Sequence, residues 1–332
     1  MSSGCVVVDV IIVNWNAAGQ LQACVAALSE SRQEGYRFGR VVVVDNASSD
    51  NSVDDLACPV LPLVVIRNDV NRGFGAACNQ GAAGSVADYL LFLNPDARVL
   101  ADTLSKSIQW MESPEASRTG VSGVQLLEEN GEVSRSCARF LATRYFVYNM
   151  LGLNRLFPVM FPDITCSQWD HRESRTVEHV IGAYFLIRNA LFLEIDGFDE
   201  RFFVYLEDVD LSLRVRDAGW SSYYLATAQC YHAGCGSSNQ IRARRLFYTL
   251  RSRIFYGFKH FTALNAVGLL LMTLLIEPVT RIAGAVIRGS GAGVSEVIQA
   301  YFLLWRALPG ILRSHYLRKA QAHKLNLEVL PR

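Results

Sequence analysis

The chain has 332 residues, 51% hydrophobic and 19% charged, which is too apolar for a disordered protein and long enough for one large α/β domain plus an appendage, or for two modest domains. Its eight cysteines are scattered and include no CxxC pair, a pattern that suits reduced thiols better than a disulfide scaffold. The formal net charge of +1 hides an asymmetry: residues 1–239 hold 18 Lys and Arg against 28 Asp and Glu, a balance of −10, and residues 240–332 hold 14 against 3, a balance of +11.

The opening MSSGCVVVDVIIVNWN lacks a basic leader and a small-residue cleavage site, and Asp9 interrupts its apolar run, so residues 6–13 predict a first strand and not a signal peptide. That strand ends at Asn14-Trp15-Asn16 and precedes a helix over about 17–31. Residues 40–44 (RVVVV) form a second strand that stops at Asp45, and residues 61–67 form a third. A glycine-rich turn, Asn71-Arg72-Gly73-Phe74-Gly75, runs into a helix. Residues 89–93 (YLLFL) form a fourth strand closed by Asn94-Pro95-Asp96. Short continuous apolar strands alternating with helices predict an α/β fold, a mostly parallel central sheet flanked by helices. Ligands of such sheets sit beyond the carboxyl ends of the strands, where Asp45, Arg72 and Asp96 fall.

Residues 100–177 are irregular and aromatic. Residues 177–187 read as one further strand containing Gly182-Ala183, and residues 207–218 as a helix stopped by Gly219. Its Asp210 and Arg214, four apart, are expected to pair on the helix surface. In the tail, six Arg and Lys interleave with aromatics over 242–259. Residues 263–276 are almost wholly apolar, and Glu277-Pro278 closes them after 14 residues, short of the ~20 a spanning helix needs. Continuing to Ile287 would bury Glu277 and Arg281. With the apolar stripe and basic end of 296–324, this predicts a helical appendage lying on a membrane and not crossing it. Arginine and aromatic residues also suit nucleic acid, but the apolar run that follows argues against that partner.

Taken together, VNWN, VVDNASSD, NRGFGAACNQG, LFLNPDA, IGAYFLIRN, GFDERFFVYLEDVDLSLRVRDAGW and YHAGCGSS resemble family 2 glycosyltransferases with the GT-A fold, most nearly their rhamnosyltransferase-like branch, over roughly residues 8–260. The resemblance implies a GT-A domain over 1–245, with a donor half to about 100 and an acceptor half beyond it, followed by a basic, apolar helical region over 246–332. It implies an inverting glycosyltransferase that moves a sugar to a polyprenyl-diphosphate-linked saccharide in cell-surface polysaccharide or cell-wall assembly. The donor suggested is dTDP-L-rhamnose; a different UDP- or dTDP-sugar, and a non-catalytic sugar-nucleotide-binding subunit, are the alternatives. The expected location is the cytoplasmic face of the cell membrane, held peripherally.

The same resemblance assigns residues. Asp208 is implied as the base that takes the acceptor proton, with Glu207 positioning the acceptor or tuning Asp208 by its charge. Donor contacts are expected from Val13, Asn14, Asn16, Asp45, Asn46, Asp50, Arg72, Gly73, Asn79, Asn94 and Asp96, with Asp45 reading the pyrimidine ring. Asn94-Pro95-Asp96 stands where the family carries a metal-binding Asp-x-Asp, so Asp96 and His232 are the implied ligands of Mg2+ or Mn2+, and Asn94 departs from the fuller motif. Cys230 and Cys235 flank His232 without four-ligand zinc spacing. Ser237 and Arg242 are candidate phosphate contacts, and Gly182-Ala183-Tyr184 and Trp220 are acceptor-side candidates.

Overall fold

The computed structural model describes residues 5–234 and 242–328, with side chains as far as 313. The chain divides into two compact units, the first comprising Met1–Phe140, Ile164–Phe203 and Glu207–Asn239. In chain order its elements are β1 (Val6–Asn14), α1 (Gly19–Ser29), β2 (Tyr36–Asp45), β3 (Leu63–Arg67), α2 (Phe74–Ala82), β4 (Tyr89–Leu93), β5 (Ala97–Val99), α3 (Thr103–Met111), β6 (Thr119–Leu127) and β7 (Cys137–Ala138). The unit resumes with β8 (Arg175–Val177), β9 (His179–Val180), β10 (Tyr184–Arg188), α6 (Asn189–Glu194), α7 (Glu207–Asp217) and β11 (Ser221–His232).

The main sheet runs β3-β2-β1-β4-β10-β6-β11-β5, with β8 added to β11. β1 to β4 pair in parallel; β10 lies antiparallel between β4 and β6. The alternation of strand side chains explains why the donor-half strands are apolar throughout. Val8, Val10 and Ile12 join Val41, Val43, Leu21 and Leu28 on one face, under α1 and α3. Ile11 and Val13 join Val42, Val44, Phe92, Ala77 and Leu211 on the other, under α2, α6 and α7.

The acid inside the first strand has a partner. Asp9 is 3% exposed, sits at the β1 bulge, and accepts from the Arg40 backbone (2.8 Å), the Arg40 Nε (2.9 Å) and the Ser85 hydroxyl (2.7 Å). Two expectations need correcting. Residues 177–187 are not one strand: β8 joins the main sheet, β9 pairs with β7 in a separate ribbon, and β10 returns to the main sheet, so the chain changes partner through Ile181–Ala183. Asp210 is fully buried, not on a surface; Arg214 reaches it at 2.9 Å and also donates to the carbonyls of Ile195 and Gly197.

The second unit comprises Leu141–Asp163, Val204–Leu206 and Gln240–Arg332. It is helical: α4 (Thr143–Met150), α5 (Leu153–Leu156), α8 (Arg242–His260), α9 (Ala263–Leu271), a π-helical turn (Met272–Ile276), α10 (Glu277–Ile287) and α11 (Gly291–Glu328). The expected break at Glu277-Pro278 does not occur. The helix runs from Ala263 to Ile287, 25 residues, long and apolar enough by length and composition to cross a membrane. Pro278 falls in the first turn of α10, where a missing N–H costs little, and the wide π turn before it absorbs the ring. Glu277, 1% exposed, is held by Arg253 on one oxygen and Arg281 on the other, at 2.6 Å. The partners thought missing are supplied by α8 and by the next turn.

Candidate active site

Three polar clusters gather at the carboxyl ends of the strands in the first unit. The first lies past β1 and β2. Asp45, 6% exposed, accepts from the Asn14 amide at 2.9 Å and the Ser48 hydroxyl at 2.5 Å, and the same Asn14 amide reaches Ser52 at 2.7 Å. Asn16, at φ 53°, accepts from the Ser49 backbone at 2.7 Å. Asp50 accepts from the backbone of Ala18, the residue before α1, at 2.9 Å, so it caps the first helix from a distant loop. Asn46 sets the next loop: it donates to Asn71 (3.0 Å) and the Gly73 carbonyl (3.2 Å) and accepts from the Arg72 backbone (3.0 Å). Gly73 has φ +90°, and a Cβ there would meet the Phe203 carbonyl oxygen at 2.5 Å, so only glycine serves. Arg72 is exposed and makes no ion pair among the described residues.

Past β4, the antiparallel pairing of β5 with the end of β11 sets His232 opposite Ala97, the neighbour of Asp96. His232 Nε2 consequently lies 3.3 Å from an Asp96 oxygen and 3.4 Å from the Asn94 side-chain nitrogen. Among the described residues no trio of His, Cys, Asp and Glu converges on one point. One carboxylate, one imidazole and an amide suit a hard divalent ion only if substrate oxygens or water complete its shell. Such a donor set fits a site shared with a diphosphate.

The third cluster opens α7. Tyr205 and Leu206, just before it, both have left-handed backbone (φ 69° and 66°), a conformation costing ~1–3 kcal/mol at a non-glycine residue. Asp208 accepts from the Gly182 backbone at 2.9 Å and from its neighbour Val209, and His179 Nε2 stands 3.5 Å away. His179 is itself fixed by Ser212 at 2.9 Å. Burial would raise the Asp208 carboxyl, but the charge and hydrogen bond of His179 and the two backbone donors outweigh it and hold the group below its ordinary value. Glu207 differs. Burial, then the Asp208 charge, push it well above the usual glutamate range, and its Oε2 has no hydrogen-bond partner among the described residues. The two neighbouring carboxyls are thus shifted in opposite directions, the pattern that sets an acid and a base apart.

The clusters are joined through backbone: the Asn94 N–H donates to the Ala183 carbonyl at 3.0 Å, and the adjacent Gly182 N–H holds Asp208. The family model described as "Glycosyl transferase family 2" matches residues 9–191 of this chain. The chain belongs to glycosyl transferase family 2. As a member it is a glycosyltransferase with the GT-A fold. The N-acetylglucosaminyl-diphospho-decaprenol L-rhamnosyltransferase of Mycobacterium tuberculosis (strain ATCC 25618 / H37Rv) is 27% identical over 258 residues, 72% of this chain and 80% of that protein. Rhamnosyltransferase WbbL of Escherichia coli (strain K12) is 27% identical over 172 residues, 51% and 61% of the two. Among solved structures, mannosyltransferase PcManGT from Pyrobaculum calidifontis, in complex with GDP-Man and Mn2+, superposes with a TM-score of 0.52 at 16% identity, over 94% of this chain and 86% of that one. S. aureus TarS 1-349 in complex with UDP-GlcNAc gives 0.50 at 15%, over 88% and 79%.

Within this family 2 domain several expected side chains are engaged elsewhere. Val13 packs in the core. Asn79 ties α2 to the next loop, exchanging hydrogen bonds with the Phe198 backbone at 2.9 Å in each direction and reaching Glu200 at 3.1 Å. Tyr184 is 1% exposed with its hydroxyl on Ser107, so it is a core residue and not an acceptor contact. Trp220 packs partly against the core under the Arg188 guanidinium, 5.8 Å away. Arg242 belongs to the second unit, 3.9 Å from Glu296. Ser237 and Cys235 lie outside the described residues. The sequence reading omitted His179, Ser48 and Ser52. The available signal for His179 was a histidine three residues before the Gly182 turn.

Proposed function

We propose that the chain transfers L-rhamnose from dTDP-L-rhamnose, with inversion, to a polyprenyl-diphosphate-linked saccharide in cell-wall or surface-polysaccharide assembly. The two rhamnosyltransferase relatives, one named for a diphospho-decaprenol acceptor, support the sugar and the lipid. The observation that carries the reading is the pairing of Asp96 with His232 at 3.3 Å, at a strand end joined through Ala183 and Gly182 to Asp208.

On this reading Asp208 accepts the proton of the attacking hydroxyl as its oxygen bonds to the anomeric carbon and the bond to the nucleoside diphosphate breaks. His179 positions Asp208 and keeps it ionised. Asp45, backed by Asn14 and Ser48, reads the ring N–H of the pyrimidine, and the Asn71–Gly73 loop and Arg72 face the diphosphate. Asp96, His232 and Asn94 would hold Mg2+ or Mn2+. Bound there, the ion would stabilise the charge that develops on the departing diphosphate. The second unit would keep the enzyme at the cytoplasmic face of the membrane: Leu264, Val267, Leu271, Leu275 and Val279 recur every three or four residues and are all exposed. The opposite side of that helix carries the buried Glu277, paired with Arg281 on the same helix and with Arg253 from α8, which favours lying in the interface over crossing it.

A thermal-shift panel of nucleotide sugars with and without Mn2+ tests the donor and the metal together. dTDP-rhamnose should raise the Tm only when metal is present, and Asp96→Asn should remove the shift. Equal stabilisation by every nucleotide sugar without metal would overturn the proposal.

A further inference from the structure

The second unit contains a cavity of about 690 Å³ whose lining is cationic. Four guanidinium groups, Arg155, Arg242, Arg281 and Arg288, face two carboxylates, Glu277 and Glu296. Glu277 offers little to a ligand: one oxygen is taken by Arg253 from behind and the other by Arg281 at 2.6 Å. Glu296 is loosely paired with Arg242 at 3.9 Å. Arg155 and Arg288 are exposed and have no ion-pair partner among the described residues. The lining therefore carries two positive charges beyond its own carboxylates. Like charges gathered around one hollow attract an anion to it.

The surroundings restrict what that anion can be attached to. Arg281 and Arg288 lie on or directly after α10, whose other residues Val279, Val286 and Ile287 are exposed. On α11, Ile298, Phe302 and Trp305 repeat the pattern, exposed at spacings of four and three. Phosphate-binding arginines beside stripes of bare apolar side chains match a ligand with a charged head and a hydrocarbon tail. An excess of two positive charges matches a diphosphate diester, which carries two negative charges, better than a phospholipid phosphodiester, which carries one. Arginine also binds phosphate oxygens in pairs, which rewards a ligand with several.

We propose that this cavity binds the diphosphate group of a membrane lipid. The proposal rests on the lipid-linked acceptor inferred above and gives that lipid its own anchoring site in the helical unit.

Flotation of the full chain with phosphatidylcholine vesicles tests it, comparing vesicles doped with a long-chain polyprenyl diphosphate with vesicles given the same negative charge as phosphatidylglycerol. The wild type should bind the diphosphate vesicles about tenfold or more tightly, and inorganic pyrophosphate should compete. The double variant Arg155→Gln/Arg288→Gln should lose that preference without a change in Tm, since both side chains are exposed. Equal binding to the two vesicle types, or an unaltered preference in the double variant, would overturn the site. Asp96→Asn, tested in parallel, should keep the vesicle preference. Loss of the donor reading and loss of the lipid site are thereby separate results.

Discussion

Each unit buries a glutamate among charged neighbours, and the two are balanced in opposite directions. In the first, Glu207 and Asp208 stand side by side with one imidazole, His179, at 3.5 Å from Asp208, and the two carboxyls are pushed in opposite directions. In the second, Glu277 is shared by two arginines, so its charge is more than neutralised. The contrast teaches how a buried acid is given a task. Acid in excess of base makes a pair whose proton affinities diverge, which is chemistry. Base in excess of acid makes a rigid joint with cationic capacity to spare, which is binding.

The comparison can be broken most sharply at Asp208. Asp208→Asn should lower the transfer rate by about 10²–10⁴-fold while leaving metal-dependent donor binding intact, as read by turnover and by thermal shift. A variant that keeps its rate would remove the base from the first cluster. Glu277→Ala should leave the buried Arg253 guanidinium uncompensated and cost ~3–5 kcal/mol of stability in denaturant unfolding. Replacing Arg253, Glu277 and Arg281 together with Met, Leu and Met should cost far less, because an apolar set of similar volume removes the need for pairing.

His179→Asn sharpens the comparison through pH. Asp208 must be ionised to accept a proton, and its value is depressed, so activity should persist as the pH falls and drop only on passing through that depressed value. Removing His179 takes away the main favourable charge, so the acidic limb of the rate profile should move to higher pH. The smallest effect is expected from Glu207→Gln, a neutral isostere of an acid that burial pushes well above the usual glutamate range. Turnover at neutral pH should fall less than about tenfold. The sign for stability is opposite to that of Asp208: a raised carboxyl destabilises the fold as pH rises from the ordinary glutamate range through its own value, and the variant should lack that slope.

Much of the donor half could be read directly, because continuous apolar strands report a sheet covered on both faces and polar punctuation reports the strand ends. Asp45 and Asp96 were visible for that reason, each at a boundary between an apolar run and a turn, whereas Asp208, in the first turn of a helix, was named only by the family resemblance. Hidden parts depended on partners remote in sequence. Nothing local to Glu277-Pro278 reveals that Arg253, on the preceding helix, will neutralise it, so the helix seemed to end there. His179 could not be distinguished from a structural histidine until α7 brought Asp208 against it. The strand expected over 177–187 failed for a related reason: one stretch met four different pairing partners, β11, β7, β4 and β6.

The pairing of β5 with the last residues of β11 has a consequence for synthesis. Asp96 leaves the ribosome early, but the histidine opposite it arrives only after most of the first unit has been made. A nascent chain can thus pair β1 to β4 before the contact between Asp96 and His232 can form. The edge that β5 and β11 share is therefore among the last parts of this sheet that the chain can close.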